Sequence, residues 1–231
     1  TLSLSLPAAE EAWLVDFARG LGALAEQHEV SVVGGDTVRG PLSLSLQMLG
    51  FLPPGRALER RGARPGDAVF VSGKLGAAAA GLRTLAAGER SGPLVDAFLW
   101  PRPRVALGLA LRGLATAAID VSDGLLTDLG RLLAASGAGA AVEVATLPLA
   151  EEALADCGEA EARRLALTGG DDYELCFTMP AVSQTELRRR LENTPVPVTC
   201  IGRIEAEPGL RLTDAPSELP AGWTHFGGKV Q

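Results

Sequence analysis

Three short segments hold most of the chemistry open to this chain: Gly34-Gly35-Asp36-Thr37, Asp120-Val121-Ser122-Asp123-Gly124 and Gly169-Gly170-Asp171-Asp172-Tyr173-Glu174. Each sets carboxylates beside glycine where an apolar run gives way to a loop or helix. Glycine lets the backbone turn and lets a bulky ligand come close. Carboxylates supply the hard oxygen donors that magnesium takes, and magnesium keeps substrate phosphates on the same ion. An acidic protein can hold a polyanion in this way, because the ion inverts the local charge. Taken singly, each segment has a plainer reading. Asp36 suits a hairpin turn and Asp171-Asp172 another turn, while Ser122 or Asp123 suits the cap of a following helix. One shared metal site accounts for all three at once.

Rival chemistries find little support. Val71-Ser72-Gly73-Lys74-Leu75-Gly76 lacks the order of a Walker A loop. There is no G-x-S-x-G elbow and no G-x-G-x-x-G fingerprint. Asp120 to Gly124 lacks the remaining ligands of an EF-hand. His28 and His225 are the only histidines, which speaks against a His-rich zinc centre. Cys157, Cys176 and Cys200 lie far apart and read as free, buried thiols in a reducing compartment. The arginines between residues 56 and 64 could grip phosphate bidentately, although a solvated loop suits most of that stretch.

These segments need elements to present them. Residues 1–6 alternate apolar and polar as a strand does. Pro7 and Glu10-Glu11 open a helix to about Gln27, with Trp13, Leu14, Phe17, Leu21 and Leu24 on one face. Strands are expected at 30–33 and 42–52, the second closed by Pro53-Pro54-Gly55. That breaker marks the expected boundary between domains 1–53 and 54–231. Beyond it the pattern predicts strands at 68–71, 116–121, 140–144, 173–178 and 196–204. Helices are expected at 76–87, 104–112, 122–135 and 181–191, with a short one inside 89–103 and one or two within 148–166. Strands and helices mixed with long crossovers make the class α/β or α+β.

Composition sets the outer limits. The chain has 231 residues, is 47% hydrophobic and carries a formal charge of −7. That apolar content supports a core and excludes disorder. The apolar stretch 105–119 is cut by Arg112, short of the ~18 uninterrupted residues of a membrane span. The acidic balance argues against nucleic acid as a partner. A cytoplasmic protein with no membrane partner is expected.

Taken in order, the segments from Gly34 to Leu42, Ala117 to Leu126 and Thr168 to Phe177 resemble the thiamine-monophosphate kinase family, within the aminoimidazole-ribonucleotide synthetase superfamily. The stretches Arg60 to Asp67 and Gly222-Trp223-Thr224-His225-Phe226 fit the same pattern, so the resemblance runs along essentially the whole chain. It implies the two-domain fold of that superfamily, with the N-terminal ATP-binding and dimerisation domain incomplete in this chain. It also implies phosphorylation of thiamine monophosphate to thiamine diphosphate by ATP and magnesium, the last step of thiamine diphosphate biosynthesis, in a homodimer. By the same resemblance Asp36, Asp120 and Asp123 hold magnesium. Gly35, Asp36, Arg60 and Ser122 contact ATP, and Asp171 and Trp223 contact the substrate, the indole being suited to stack on a thiamine ring. No catalytic base is expected, since a phosphate monoester with a second pKa of about 6 is already mostly a dianion. The work that remains is positioning and charge neutralisation.

Two departures stand out. The family usually has Glu where Asp171 stands, which shortens a contact by one methylene and keeps the charge. It also carries an upstream segment with further magnesium-binding aspartates and a substrate-binding histidine. This chain opens inside an alternating strand without an initiator Met. Upstream sequence is therefore expected, and the 231 residues alone are expected to turn over poorly. Two alternatives stay open: a sister ATP-dependent synthetase, which would need a reactive cysteine or an ammonia-handling site, and a non-catalytic module that binds nucleotide or dimerises.

Overall fold

The computed structural model describes residues 1–192 and 196–214. The chain divides into two units, Thr1–Pro53 and Pro54–Gln231. In the first, alternation makes β1 (Leu2–Leu6), which buries Leu4 and Leu6. It pairs in parallel with β2 (Gly35–Arg39) and antiparallel with β3 (Ser43–Leu46), in the order β2-β1-β3. A parallel pair needs a crossover, and α1 (Glu11–Gln27) provides it. Glu11 in its first turn complements the helix dipole. Trp13 and Phe17, one turn apart, stack with ring centroids 5.3 Å apart.

Two expectations fail here. Residues 30–33 form no strand, and Val32 and Val33 are exposed. The parallel partner of β1 starts instead at Gly35, in register with Leu2. A Cβ at Gly35 would sit 1.9 Å from the Leu2 carbonyl oxygen, so glycine alone lets the two backbones come alongside. Gly35-Asp36-Thr37 therefore opens a strand and is no hairpin turn. Likewise only Ser43–Leu46 of the expected 42–52 strand is paired, and Met48, Leu49 and Phe51 beyond it are exposed.

The second unit is built on a six-stranded sheet of β4 (Ala68–Ser72), β5 (Ala117–Val121), β6 (Gly139–Glu143), β7 (Glu174–Met179), β8 (Val198–Glu205) and β9 (Gly209–Thr213). Their order is β5-β7-β4-β8-β6-β9. Neighbours run antiparallel except β6 and β9. Strand alternation divides the core between the two faces. Val69, Val71, Ile119, Val121 and Cys176 pack with Leu125, Leu129 and Leu132 of α5 (Leu125–Ser136). Ala68, Phe70, Phe177 and Met179 meet Leu107 and Leu111 of α4 (Val105–Leu111) and Leu187 of α7 (Gln184–Arg190). A third cluster joins α2 (Ala77–Ala86), α3 (Pro93–Leu99) and α6 (Glu151–Thr168) through Ala80, Leu94, Ala153, Ala162 and Leu165.

Helix α6 carries a non-helical break at Gly158. The sequence pattern gave no warning of β9, where only Leu210 and Leu212 alternate with Arg211. All three cysteines are free, but they are not all buried. Cys176 is buried, and burial pushes its thiol up to about 12, whereas Cys200 is exposed. Among the described residues no helix is long and apolar enough to cross a membrane.

The N-terminus of α2 has no cap of its own, because Gly76 stands at the N-cap position. Asp172 supplies it from 96 residues away: its Oδ2 accepts the Gly76 N–H at 2.8 Å and its Oδ1 the Ala78 N–H at 3.2 Å. Burial still pushes its carboxyl from 3.8 up to about 7, against the pull of those two donors. Between those values folded Asp172 keeps a proton that the unfolded chain has released, so its linkage makes stability fall as pH rises through that window. The urea midpoint is accordingly expected to drop between roughly pH 4 and roughly pH 7, and the drop to shrink in Asp172→Asn.

Candidate active site

Strands β5 and β7 lie side by side, with Val121 opposite Glu174 and Asp120 opposite Leu175. Ala117, Ile119 and Val121 are buried and anchor β5, which leaves Asp120 as its one exposed residue. The turn after β5 and the 169–173 loop before β7 interlock through the backbone. Asp171 donates its N–H to the Ser122 carbonyl at 2.9 Å, and Tyr173 donates to Val121 at 2.9 Å. At Gly170 a Cβ would come within 2.3 Å of the Ser122 oxygen, so glycine is required for the contact.

Asp171 and Tyr173 both take left-handed φ values, +66° and +49°. Non-glycine residues in that region store strain, and such strain concentrates in functional loops. The contortion turns the two aspartates apart. Asp172 goes to α2, while Asp171 joins Asp120 and Asp123 around the Tyr173 phenol. Burial first, and then the Asp171, Asp120 and Asp123 charges, push that phenol up from its ordinary value.

Neither Ser122 nor Asp123 caps α5, whose N-cap residue is Gly124. Asp128, 1% exposed, reaches back from the first turn instead. Its Oδ2 accepts the N–H groups of both Ser122 and Asp123, each at 2.8 Å. Its Oδ1 lies 2.7 Å from Arg131 Nη1, and the same Nη1 donates to Asp123 Oδ2 at 2.5 Å. The hydrogen bond to Asp123 holds the Arg131 guanidinium above its ordinary value.

Asp128 and Arg131 thus fix both the backbone and the carboxylate of the 120–124 turn, and motif reading missed them. The available signal was a carboxylate and an arginine three apart directly after Ser-Asp-Gly. Asp128→Ala leaves two backbone donors without their acceptor and takes one partner from Arg131. It is expected to cost about 2 to 3 kcal/mol, measured by urea unfolding.

In the second unit, then, Asp120, Ser122, Asp123 and Asp171 come together. Arg60 sits in an exposed loop, where its carbonyl accepts the Ser136 hydroxyl at 3.4 Å. Gly35 and Asp36 belong to β2 of the first unit, and Asp36 Oδ1 accepts the Thr37 N–H at 2.9 Å. Trp223, with the Gly222 to Phe226 motif, lies outside the described residues. Among the described residues no group of three or more His, Cys, Asp or Glu converges closely enough to cage a metal. Asp120 and Asp123 still suit magnesium, which binds through one or two carboxylates plus substrate phosphates and needs no cage.

Residues 64–215 match the AIR synthase related protein C-terminal domain, and residues 1–52 the corresponding N-terminal domain. The thiamine-monophosphate kinase of Salmonella typhimurium is 45% identical over 213 residues, 90% of this chain and 66% of that protein. The chain therefore spans a little under two thirds of that curated relative. The crystal structure of thiamine-monophosphate kinase from Stenotrophomonas maltophilia K279a is 44% identical, with a TM-score of 0.87 over 93% of this chain and 71% of that one. The chain belongs to the thiamine-monophosphate kinase family. Its mixed α/β architecture, with both AIR synthase related domains represented, is the fold of that family. AaThiL complexed with AMPPCP and TMP is 30% identical, with a TM-score of 0.79 over 97% of this chain and 72% of that one.

Proposed function

We propose that the protein transfers the γ-phosphate of ATP to thiamine monophosphate in the presence of magnesium, giving thiamine diphosphate and ADP. The observation that carries this reading is the meeting of Asp120, Ser122, Asp123 and Asp171 where the ends of β5 and β7 interlock. The AaThiL complex with AMPPCP and TMP supports ATP and thiamine monophosphate as the pair that binds.

An oxygen of the acceptor phosphate attacks the γ-phosphorus, and the bond from that phosphorus to the β–γ bridging oxygen breaks as ADP leaves. The acceptor is already a dianion for the most part, so no side chain has to remove a proton. Bound magnesium supplies the charge neutralisation that two polyanions need in order to meet. Asp120 and Asp123 would hold it. Ser122 would place the nucleotide, and Arg60 would offer a planar fork to its phosphates. Asp171 and Trp223 hold the acceptor. Arg131 and Asp128 keep Asp123 in position before the substrates arrive.

A sister synthetase needs a reactive cysteine, and the buried Cys176 thiol, pushed up to about 12, is unsuited to that role. A homodimer is supported by the outer edges of β2 and β3, which have no strand beside them among the described residues, and by exposed Leu44, Leu46 and Phe51. Three free thiols suit the cytoplasm. The test is ADP release from the protein expressed from its complete reading frame. Release that requires both magnesium and thiamine monophosphate supports the proposal. Release indifferent to thiamine monophosphate contradicts it.

A further inference from the structure

The acidic turn is crowded with oxygen acceptors and short of donors. A phosphoryl group passing between two polyanions needs donors as well as metal, to meet the charge on its oxygens. The donors of the turn can be followed one by one. The Ser122 and Asp123 N–H groups go to Asp128 Oδ2, each at 2.8 Å. Those of Asp171 and Tyr173 go to the Ser122 and Val121 carbonyls, both at 2.9 Å. Arg131 is engaged by Asp123 at 2.5 Å and by Asp128 at 2.7 Å. Beyond the loop, Arg104 is engaged by Glu174, and Lys74 by Glu151 at 2.5 Å. Two hydroxyl rotors remain among the described side chains of the 120–124 turn and the 169–173 loop, those of Ser122 and Tyr173.

Tyr173 is strained into its place. Its φ of +49° is a left-handed backbone that bulky residues avoid. Burial of the ring does not explain the strain, since Tyr173 is 42% exposed while Glu174 beside it is buried. The contortion sets the phenol against Asp171, which it bonds, with Asp120 and Asp123 close enough for their charges to act on it. The hydroxyl can turn from Asp171 to a ligand oxygen without moving the ring. An ordinary phenol loses its proton only near pH 10, so at neutral pH it donates.

We propose that Tyr173 is a catalytic residue whose hydroxyl donates a hydrogen bond to an oxygen of the phosphoryl group in transfer, between Asp120 and Asp123 on the metal side and Asp171 on the acceptor side. The inference rests on the kinase reading for the identity of the acceptor. A donor that meets this oxygen most strongly in the transition state raises kcat and leaves the KM of each substrate nearly alone.

The experiment compares Tyr173→Phe with the parent, both from the complete reading frame, by steady-state kinetics and by calorimetry. The titrant is ADP with magnesium and aluminium fluoride, a mimic of the phosphoryl group, and ADP with magnesium alone is the control for folding and nucleotide binding. Tyr173→Phe is expected to lower kcat about 100-fold with both KM values within threefold, the scale on which one preorganised donor acts. It is also expected to weaken the aluminium fluoride complex at least tenfold while ADP affinity stays within twofold. An unchanged kcat, or a raised KM for thiamine monophosphate at unchanged kcat, overturns the inference. Equal loss of ADP affinity overturns it too, by making the phenol a support of the nucleotide. If the parent forms no thiamine diphosphate yet the aluminium fluoride complex depends on the hydroxyl, the kinase reading fails and the phenol's role stands. If Tyr173→Phe forms thiamine diphosphate at the parent's rate, the inference fails alone.

Discussion

Asp120→Asn and Asp123→Asn are each expected to slow thiamine diphosphate formation by about 100-fold or more, the scale on which a preorganised electrostatic contact acts. The fold should hardly notice. Asp120 is the exposed residue of an otherwise buried strand. Asp123 pairs with Arg131, whose side chain is 45% exposed, and ion pairs of that kind add about 1 kcal/mol or less. The two variants should therefore unfold near the parent's urea midpoint while needing more magnesium for half-maximal rate. Partial recovery at high magnesium would assign the loss to metal binding. Rates within threefold of the parent, with an unchanged magnesium requirement, would remove both residues from the site.

Arg104→Ala is expected to be the most damaging single change to stability among the polar residues, at about 3 to 5 kcal/mol. Glu174 is 3% exposed, and its Oε2 takes the Ser72 hydroxyl at 2.5 Å and Arg104 Nε at 2.7 Å. Arg104 Nη2 bonds the other oxygen, Oε1. Without Arg104 the carboxylate stays buried with a single hydroxyl partner. That hydroxyl also accepts the Leu175 N–H at 2.9 Å, so the damage reaches the start of β7 and the loop that carries Asp171. Pairing Arg104→Met with Glu174→Gln removes both charges and should recover most of the loss. Urea unfolding of the two proteins decides the matter, and a double variant no more stable than the single would contradict the charge argument.

What could be read from residue order alone follows from the range of the interactions. Helix α1, strand β4, helix α5 and strand β7 declare themselves because their periodicity is local. Strand β2 does not, since its start depends on how Gly35 fits against Leu2, a contact invisible until the strands are paired. The acidic segments were legible as chemistry because aspartate beside glycine is uncommon inside regular elements. Their supports were hidden. Asp172 caps a helix 96 residues earlier, and Glu174 meets Arg104 and Ser72 across 70 and 102 residues. The split of Asp171 from Asp172 arises from left-handed residues on either side of Asp172, at Asp171 and Tyr173, which no spacing rule foretells. Asp128 is the near case: it lies 5 and 6 residues from the groups it holds, within reach of a reader who asks where the backbone donors of the turn find acceptors.

Phosphorus NMR of the protein from its complete reading frame, mixed with ATP, magnesium and thiamine monophosphate, tests the central claim most directly. The monophosphate resonance of the acceptor should be replaced by two coupled diphosphate resonances as ADP accumulates in equal amount, and chelation of magnesium should stop the change. Nucleotide bound in a magnesium-dependent way, with the acceptor resonance unaltered, would contradict the account and leave a binding module in its place.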